Sequence, residues 1–163
     1  MRILSIDVGI VNIGYAIFDI TDSKITYLSS GYLCTKHKKQ TKERLNIIYT
    51  FFNNLIQTQN FETLIYEQPI FNRGKSGADV VKAEGVLLLL AGINNLNCFS
   101  YTAPNVKKTI AHFGRADKKQ VEDAVCDYLN LKLTFSTDHE SDAVAIGLTH
   151  FIHEYSENLQ QAS

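Results

Sequence analysis

From the second residue the chain alternates polar and apolar side chains in a strand-like rhythm. Over residues 2–8, Ile3, Ser5 and Asp7 are set against Leu4, Ile6 and Val8, in a run rich in residues that favour extended backbone. The strand they predict ends on an acid. Gly9, Asn12 and Gly14 punctuate a turn before a second β-rich run at 15–20, and a polar turn at 21–24 separates it from a third at 25–33. Together these predict a three-stranded antiparallel meander. From Thr41 the rhythm changes: Leu45, Ile48, Phe52, Leu55 and Ile56 step by three or four, which is one face of an amphipathic helix. A short buried-type strand at 63–66 then delivers Glu67, a long periodic block at 78–95 predicts a helix, and residues 98–102 predict another strand. Pro104 suits the first turn of a helix through about 113, with Gly114 as its stop. Residues 117–129 predict a further helix with Val121, Val125 and Leu129 on one face. A last helix starts near Asp138: Thr137 and Glu140 have the spacing of a capping box, and Val144, Leu148, Phe151 and Ile152 carry its apolar face. The order βββαβαβ followed by helices predicts an α/β fold, a mixed five-stranded sheet flanked by helices.

Composition narrows this further. The 163 residues match one domain, 1–163, and the 45% hydrophobic and 20% charged fractions are those of a globular protein, which argues against disorder or a fibrous repeat. The longest nearly apolar stretch, 85–93, falls far short of the roughly 18–20 residues of a membrane span. Met1 is followed at once by Arg2, without an apolar leader, so the expectation is a soluble intracellular, cytoplasmic protein with no membrane partner. Cys34, Cys98 and Cys126 are an odd number at wide spacing and read as reduced structural residues. The net charge of -1 conceals an uneven distribution. Lys36, Lys38, Lys39, Lys42 and Arg44 crowd one segment, and Lys107, Lys108, Arg115, Lys118 and Lys119 another. After Lys132 there is no Lys or Arg, whereas Asp138, Glu140, Asp142, Glu154 and Glu157 follow. Basic surfaces suit phosphates and a concentrated acidic site suits divalent cations; the alternative is solvated surface charge.

Three acids stand where this scaffold can gather distant segments: Asp7 ending the first strand, Glu67 ending the fourth, and Asp142 on the last helix, each beside apolar neighbours. Singly, each has a structural use: Asp7 as a turn cap, Glu67 as a partner for Arg73, Asp142 near the positive end of a helix. Clustered, they repel one another and lose hydration, which raises their pKa values unless a cation neutralises them. Mg²⁺ fits such a site, because it keeps waters and takes one or two carboxylates plus substrate phosphate. Two ions roughly 3.5–4 Å apart activate a water and stabilise the leaving oxygen of a phosphodiester.

The chain resembles the RuvC-type Holliday junction resolvases of the RNase H-like fold. The resemblance rests on Ile3-Leu4-Ser5-Ile6-Asp7-Val8-Gly9 with Gly14-Tyr15-Ala16, on Tyr66-Glu67-Gln68, on Lys82-Ala83-Glu84-Gly85-Val86, and most specifically on 142–150, Asp-Ala-Val-Ala-Ile-Gly-Leu-Thr-His. It implies a homodimer that makes paired symmetric nicks in a four-way DNA junction, with two Mg²⁺ or Mn²⁺ ions per active site. It further implies that Asp7, Glu67 and Asp142 are catalytic metal ligands. One helical turn before Asp142, where the family often has Asp, this chain has His139, which shares a helix face with Asp142. Imidazole favours Mn²⁺ over Mg²⁺ relative to a carboxylate; protonated, it can instead assist the leaving oxygen. Asp138 competes with His139 for the fourth position. Lys107 and Lys118 match positions where the family contacts DNA, and Arg73 and Lys75 follow Glu67 on a loop placed to meet DNA. Phe71 either stacks on an unpaired base or anchors that loop.

Other functions fit less of the sequence. Asp7-Val8-Gly9 and Gly14 also resemble the first phosphate loop of ATP-binding actin and sugar-kinase proteins, but glycine spacing is weak evidence and leaves Glu67 and Asp142 without a shared task. A nuclease of the same fold acting on RNA–DNA hybrid or precursor rRNA is the nearer rival. A noncatalytic junction-binding module is disfavoured by the complete acidic set.

Overall fold

The expected meander is present: β1 (Arg2–Asp7), β2 (Asn12–Thr21) and β3 (Lys24–Cys34) pair antiparallel in chain order. A computed structural model describes residues 1–22, 24–69 and 75–156, without the side chains of Lys75, Ser76 and Ser156. On the other side of β1, β4 (Thr63–Glu67) and then β5 (Asn97–Tyr101) add in parallel, so the sheet order is β3-β2-β1-β4-β5. The helices are α1 (Thr41–Gln59), α2 (Lys75–Ile93), α3 (Ala103–Ala111), α4 (Lys118–Leu129) and α5 (Asp138–Phe151), which runs into a π turn at Ile152–Ser156.

The period of two along each strand sorts the sheet into two faces. Leu4, Ile6, Ile17, Leu64 and Tyr66 face α1 and α2, where Ile48, Phe52, Ile56, Ala83, Leu87 and Leu90 meet them. Ile3, Ala16, Phe18 and Ile65 face the other way, against α5 and its neighbours α3 and α4, which add Val106, Ile110, Val121 and Val125. The same parity sends Ser5 and Asp7, and on β4 Glu67, toward α5.

Helix α5 is apolar nearly all round and almost wholly buried from Ala143 to Phe151, as a helix lacking a polar face must be. It lies close on the sheet because small residues meet there. Ser5 Oγ donates to the Ala143 carbonyl at 2.7 Å. A Cβ on Gly147 would fall 2.4 Å from the Phe18 ring, and one on Gly14 would fall 1.7 Å from the His139 carbonyl oxygen. Neither glycine has a positive φ, so close approach and not a turn explains both.

Several boundaries move from those the sequence predicts. Gly14 lies inside β2, which starts at Asn12 because Asn12, Ile13 and Gly14 pair with Cys34, Leu33 and Tyr32. Helix α2 starts at Lys75 instead of 78, and α3 stops at Ala111 with His112 in the left-handed region at φ 56°, ahead of Gly114. The capping box predicted at Thr137 and Glu140 is half formed. Thr137 accepts from the Glu140 amide at 3.4 Å, but the Glu140 carboxylate accepts instead from Ser30 Oγ at 2.7 Å and from the Ser136 amide at 2.9 Å. A complete box forms at α4, between Asp117 and Gln120.

Since backbone atoms of α5 occupy the space a Gly14 side chain needs, Gly14→Ala should cost roughly 1–3 kcal/mol or more, read as a lowered urea midpoint. An unchanged midpoint would show that the helix can ride higher on the sheet at no expense.

Candidate active site

Asp7 and Glu67 end neighbouring parallel strands. The register pairs Ile6 with Tyr66, and continuing it by one residue sets Asp7 beside Glu67 with both side chains on the α5 face. The first turn of α5 crosses this strand edge. Gly14, directly opposite Asp7 in β2, is where the backbone of His139 touches the sheet. His139 Nδ1 accordingly donates to Asp7 Oδ2 at 2.6 Å. Asp142, three residues later on the same helix face, completes the group.

The electrostatics show how closely the acids crowd. Burial first, and then the charges of Asp7 and Asp142, push the Glu67 carboxyl up to about 7, with partial relief from the Lys107 ammonium. Burial and Asp7 likewise push Asp142 up to about 6, against the opposing pull of Lys118 and His139. The hydrogen bond to Asp7 raises the His139 pKa. With Nδ1–H committed to Asp7, Nε2 is the ring nitrogen left to face a ligand.

Such a group suits a hard divalent cation. Glu67 and Asp142 are carboxyls whose ionisation is opposed by burial and by the charge of Asp7, and a cation relieves both effects. Among the described residues no three His, Cys, Asp or Glu side chains are grouped tightly enough to hold an ion unaided.

The remaining predicted residues divide. Lys107 on α3 acts on Glu67, and Lys118, at the start of α4, acts on Asp142 and Asp7, so two ammonium groups border the acids. Lys118 also holds Asp138 at 2.7 Å, with both side chains 62% exposed. Asp138 is thus tied to a lysine at the surface, while its neighbour His139 turns inward to Asp7. Phe71 and Arg73 lie outside the described residues, as does the side chain of Lys75. Sequence reasoning missed the groups that seat α5: Ser5, which bonds a residue 138 positions away, and the Ser30–Glu140 pair, 110 apart. No local pattern marks such pairs. The close approach at Gly14 does leave a trace in the sequence, a glycine within a β-rich run.

A family model for "Crossover junction endodeoxyribonuclease RuvC" matches residues 3–150. The chain belongs to the RuvC family. Relatives carrying that name include one from Finegoldia magna, 34% identical over 92% of each chain, and one from Clostridioides difficile, 32% identical over 92% of this chain and 89% of that one. Among solved structures, T. thermophilus RuvC in complex with Holliday junction substrate is 26% identical and superposes with a TM-score of 0.85 over 96% of both chains. The fowlpox virus Holliday junction resolvase, 16% identical over 94% of this chain and 99% of that one, shares the fold with a TM-score of 0.61. The RNase H-like architecture expected from the sequence is therefore the family's own.

The acids give RuvC-family membership a measurable cost here. In the unfolded chain Glu67 and Asp142 titrate near 4.5 and 3.8, and in the folded chain near 7 and 6. Between about pH 4 and 7 the folded state therefore binds more protons, and stability falls as pH rises. His139 acts in the same direction: its pKa is raised, so its contribution is full below the unfolded value of 6.5 and is lost as pH rises through the folded one. Urea denaturation of metal-free protein should show a loss of about 1–3 kcal/mol from pH 5 to 7.5, flattened by Glu67→Gln, which should also be more stable than the parent at pH 7.5. Stability that rises over that interval would refute the crowding.

Proposed function

We propose that this chain is a metal-dependent, structure-selective endonuclease that resolves four-way DNA junctions. It acts as one nuclease domain, 1–163, in a homodimer that makes paired symmetric nicks. The observation that carries this reading is the convergence of Asp7, Glu67 and Asp142, with His139, at one edge of the sheet. The junction complex of the T. thermophilus relative supports the substrate assignment.

Asp7, Glu67 and Asp142 would hold two Mg²⁺ or Mn²⁺ ions per active site. Bound there, such ions supply charge neutralisation and an activated water for in-line attack on the phosphodiester. The protein's own groups do the rest. Lys107 and Lys118 border the carboxylates, and their ammonium groups attract the scissile phosphate that the carboxylates repel. The Asp7 carboxylate fixes the His139 ring and favours its protonated form, so that Nε2–H is presented to the leaving oxygen. In its neutral form the same nitrogen would be a ligand whose softness suits Mn²⁺. Arg73 and Lys75 follow Glu67 in the chain and would contact junction backbone, and Phe71 beside them would either stack on an unpaired base or anchor the loop.

The dimer is supported by α2. Leu87 and Leu90 are buried in the core, whereas Leu88 is 41% and Leu89 57% exposed. With Val81, Gly85 and Gly92 they form an exposed stripe at spacings of three and four, and a Cβ on either glycine would meet nothing within 4 Å. A stripe with leucines between open glycines suits close, two-fold helix packing.

Offered a four-way junction, linear duplex, RNA–DNA hybrid and RNA with Mg²⁺ or Mn²⁺, the protein should nick the junction symmetrically, and Asp7→Asn should not. Preferential hybrid cleavage would move it to a neighbouring nuclease class. In the same assay His139→Ala should lose more activity than Asp138→Ala, since only His139 reaches Asp7. Leu89→Asp should sediment as a monomer and give single nicks in place of pairs; a parent already monomeric would remove the dimer.

A further inference from the structure

Strands β1 and β3 each run antiparallel to β2, so they point the same way, and β4 and β5 run parallel to β1. The C-terminal ends of β1, β3, β4 and β5 therefore share one edge of the sheet. That edge carries Asp7 and Glu67. Beyond β5 it leads into α3 and Lys107; in the opposite direction, beyond β3, it leads into residues 36–44. This second segment holds five basic residues, Lys36, Lys38, Lys39, Lys42 and Arg44, against one acid, Glu43. The catalytic group uses none of them.

The segment is built and not merely present. Thr35, fully buried, donates through Oγ1 to the Ile10 carbonyl at 2.6 Å, and its amide donates to Val11 at 2.8 Å. Ile10 and Val11 lie on the short connection that follows Asp7. The Lys38 amide closes a turn on the Thr35 carbonyl at 2.9 Å, and Arg44 Nε donates to the Lys38 carbonyl at 3.0 Å. Thr41 Oγ1 donates to Asp79 on α2 at 3.2 Å, and Arg44 also acts on Asp79. Arg44 and Thr41 are thus spent on holding the segment in place.

Lys36, Lys39 and Lys42 are left over. All three are exposed, and none makes an ion pair among the described residues. Elsewhere on the surface, Lys82, Lys118 and Lys119 each lie 2.7 or 2.8 Å from an aspartate. Three unneutralised ammonium groups, on a braced loop and the first turn of α1 that follows it, tied to the connection after Asp7, have the form of a preorganised anion surface.

We infer that Lys36, Lys39 and Lys42 are a second phosphate-binding surface, which holds the backbone of a duplex arm on the β3 side of the catalytic carboxylates. The inference rests on the junction-nuclease reading and adds to it where an arm lies. β3 stands two strand spacings from β1, roughly 10 Å. With an axial rise of about 3.4 Å per nucleotide on one strand, the surface reaches phosphates roughly three nucleotides from the scissile one. Lysine ammonium groups on phosphates read no sequence, so this grip is sequence-independent and strongly salt-dependent.

The test uses full-length protein carrying Asp7→Asn, so that a synthetic four-way junction stays uncut, with binding measured across a salt series. Combining Lys36→Gln, Lys39→Gln and Lys42→Gln should lower the salt slope by about 2–3, because each lost phosphate contact removes roughly 0.9. Replacing the same three lysines by Arg should keep the slope, and both variants should melt with the parent. A slope within half a unit of the parent, in an experiment where Lys107→Gln lowers it by about 1, would overturn the surface and leave the junction reading intact. An equal loss in the Arg variant would overturn the charge argument. A parent that does not bind the junction would overturn the inference together with the reading beneath it.

Discussion

The site depends on how closely α5 lies against β1 and β2. Helix and strand must nearly touch at their backbones, and they do so at Gly14, where a side chain would collide with the His139 carbonyl. Ser5 anchors the next turn through Ala143, and Gly147 lets the Phe18 ring slide beneath the helix. Widening this gap by the thickness of a methyl group would carry His139 and Asp142 away from Asp7 and Glu67. The buried polar contacts reinforce the position, since Glu140 is held by Ser30 on β3 and by the Ser136 amide. An unsatisfied carboxylate at that depth would be expensive, so the pair fixes the helix start in both rotation and height.

What this packing assembles is unfavourable by itself. Glu67 and Asp142 are driven toward their neutral forms by burial and by the charge of Asp7, and one oxygen of Asp7 is already given to His139. The core on both faces of the sheet must hold this arrangement, as is usual where a site is built against local stability.

The sheet's direction places charge as well as carboxylates. Because four strands end on one edge, the loops that follow them share a surface with the acids. Basic residues distant in sequence, at 36–44 and on α3 and α4, consequently lie along the same edge as the acids. The near-zero net charge conceals this, since it averages an acidic centre with basic flanks. Asp138 shows how local the division is: next to His139 in the chain, it faces solvent and neutralises Lys118.

The amino-acid sequence by itself determined the order of elements, because the periods of two and of three to four are local properties of each segment. It also placed Asp7 and Glu67 at the ends of their strands, since each acid closes a β-rich run, Ile3-Leu4-Ser5-Ile6 and Leu64-Ile65-Tyr66. The family was legible for the same reason, in short contiguous blocks around those acids and Asp142. Boundaries that depend on partners were not legible: β2 begins at Asn12 only because β3 pairs with it, and the expected capping box is half formed because Ser30 claims the Glu140 carboxylate. The choice between Asp138 and His139 also lay beyond it. Adjacent residues on a helix point about 100° apart, and only the seat of α5 on Gly14 decides which of the two side chains meets Asp7 and which meets water.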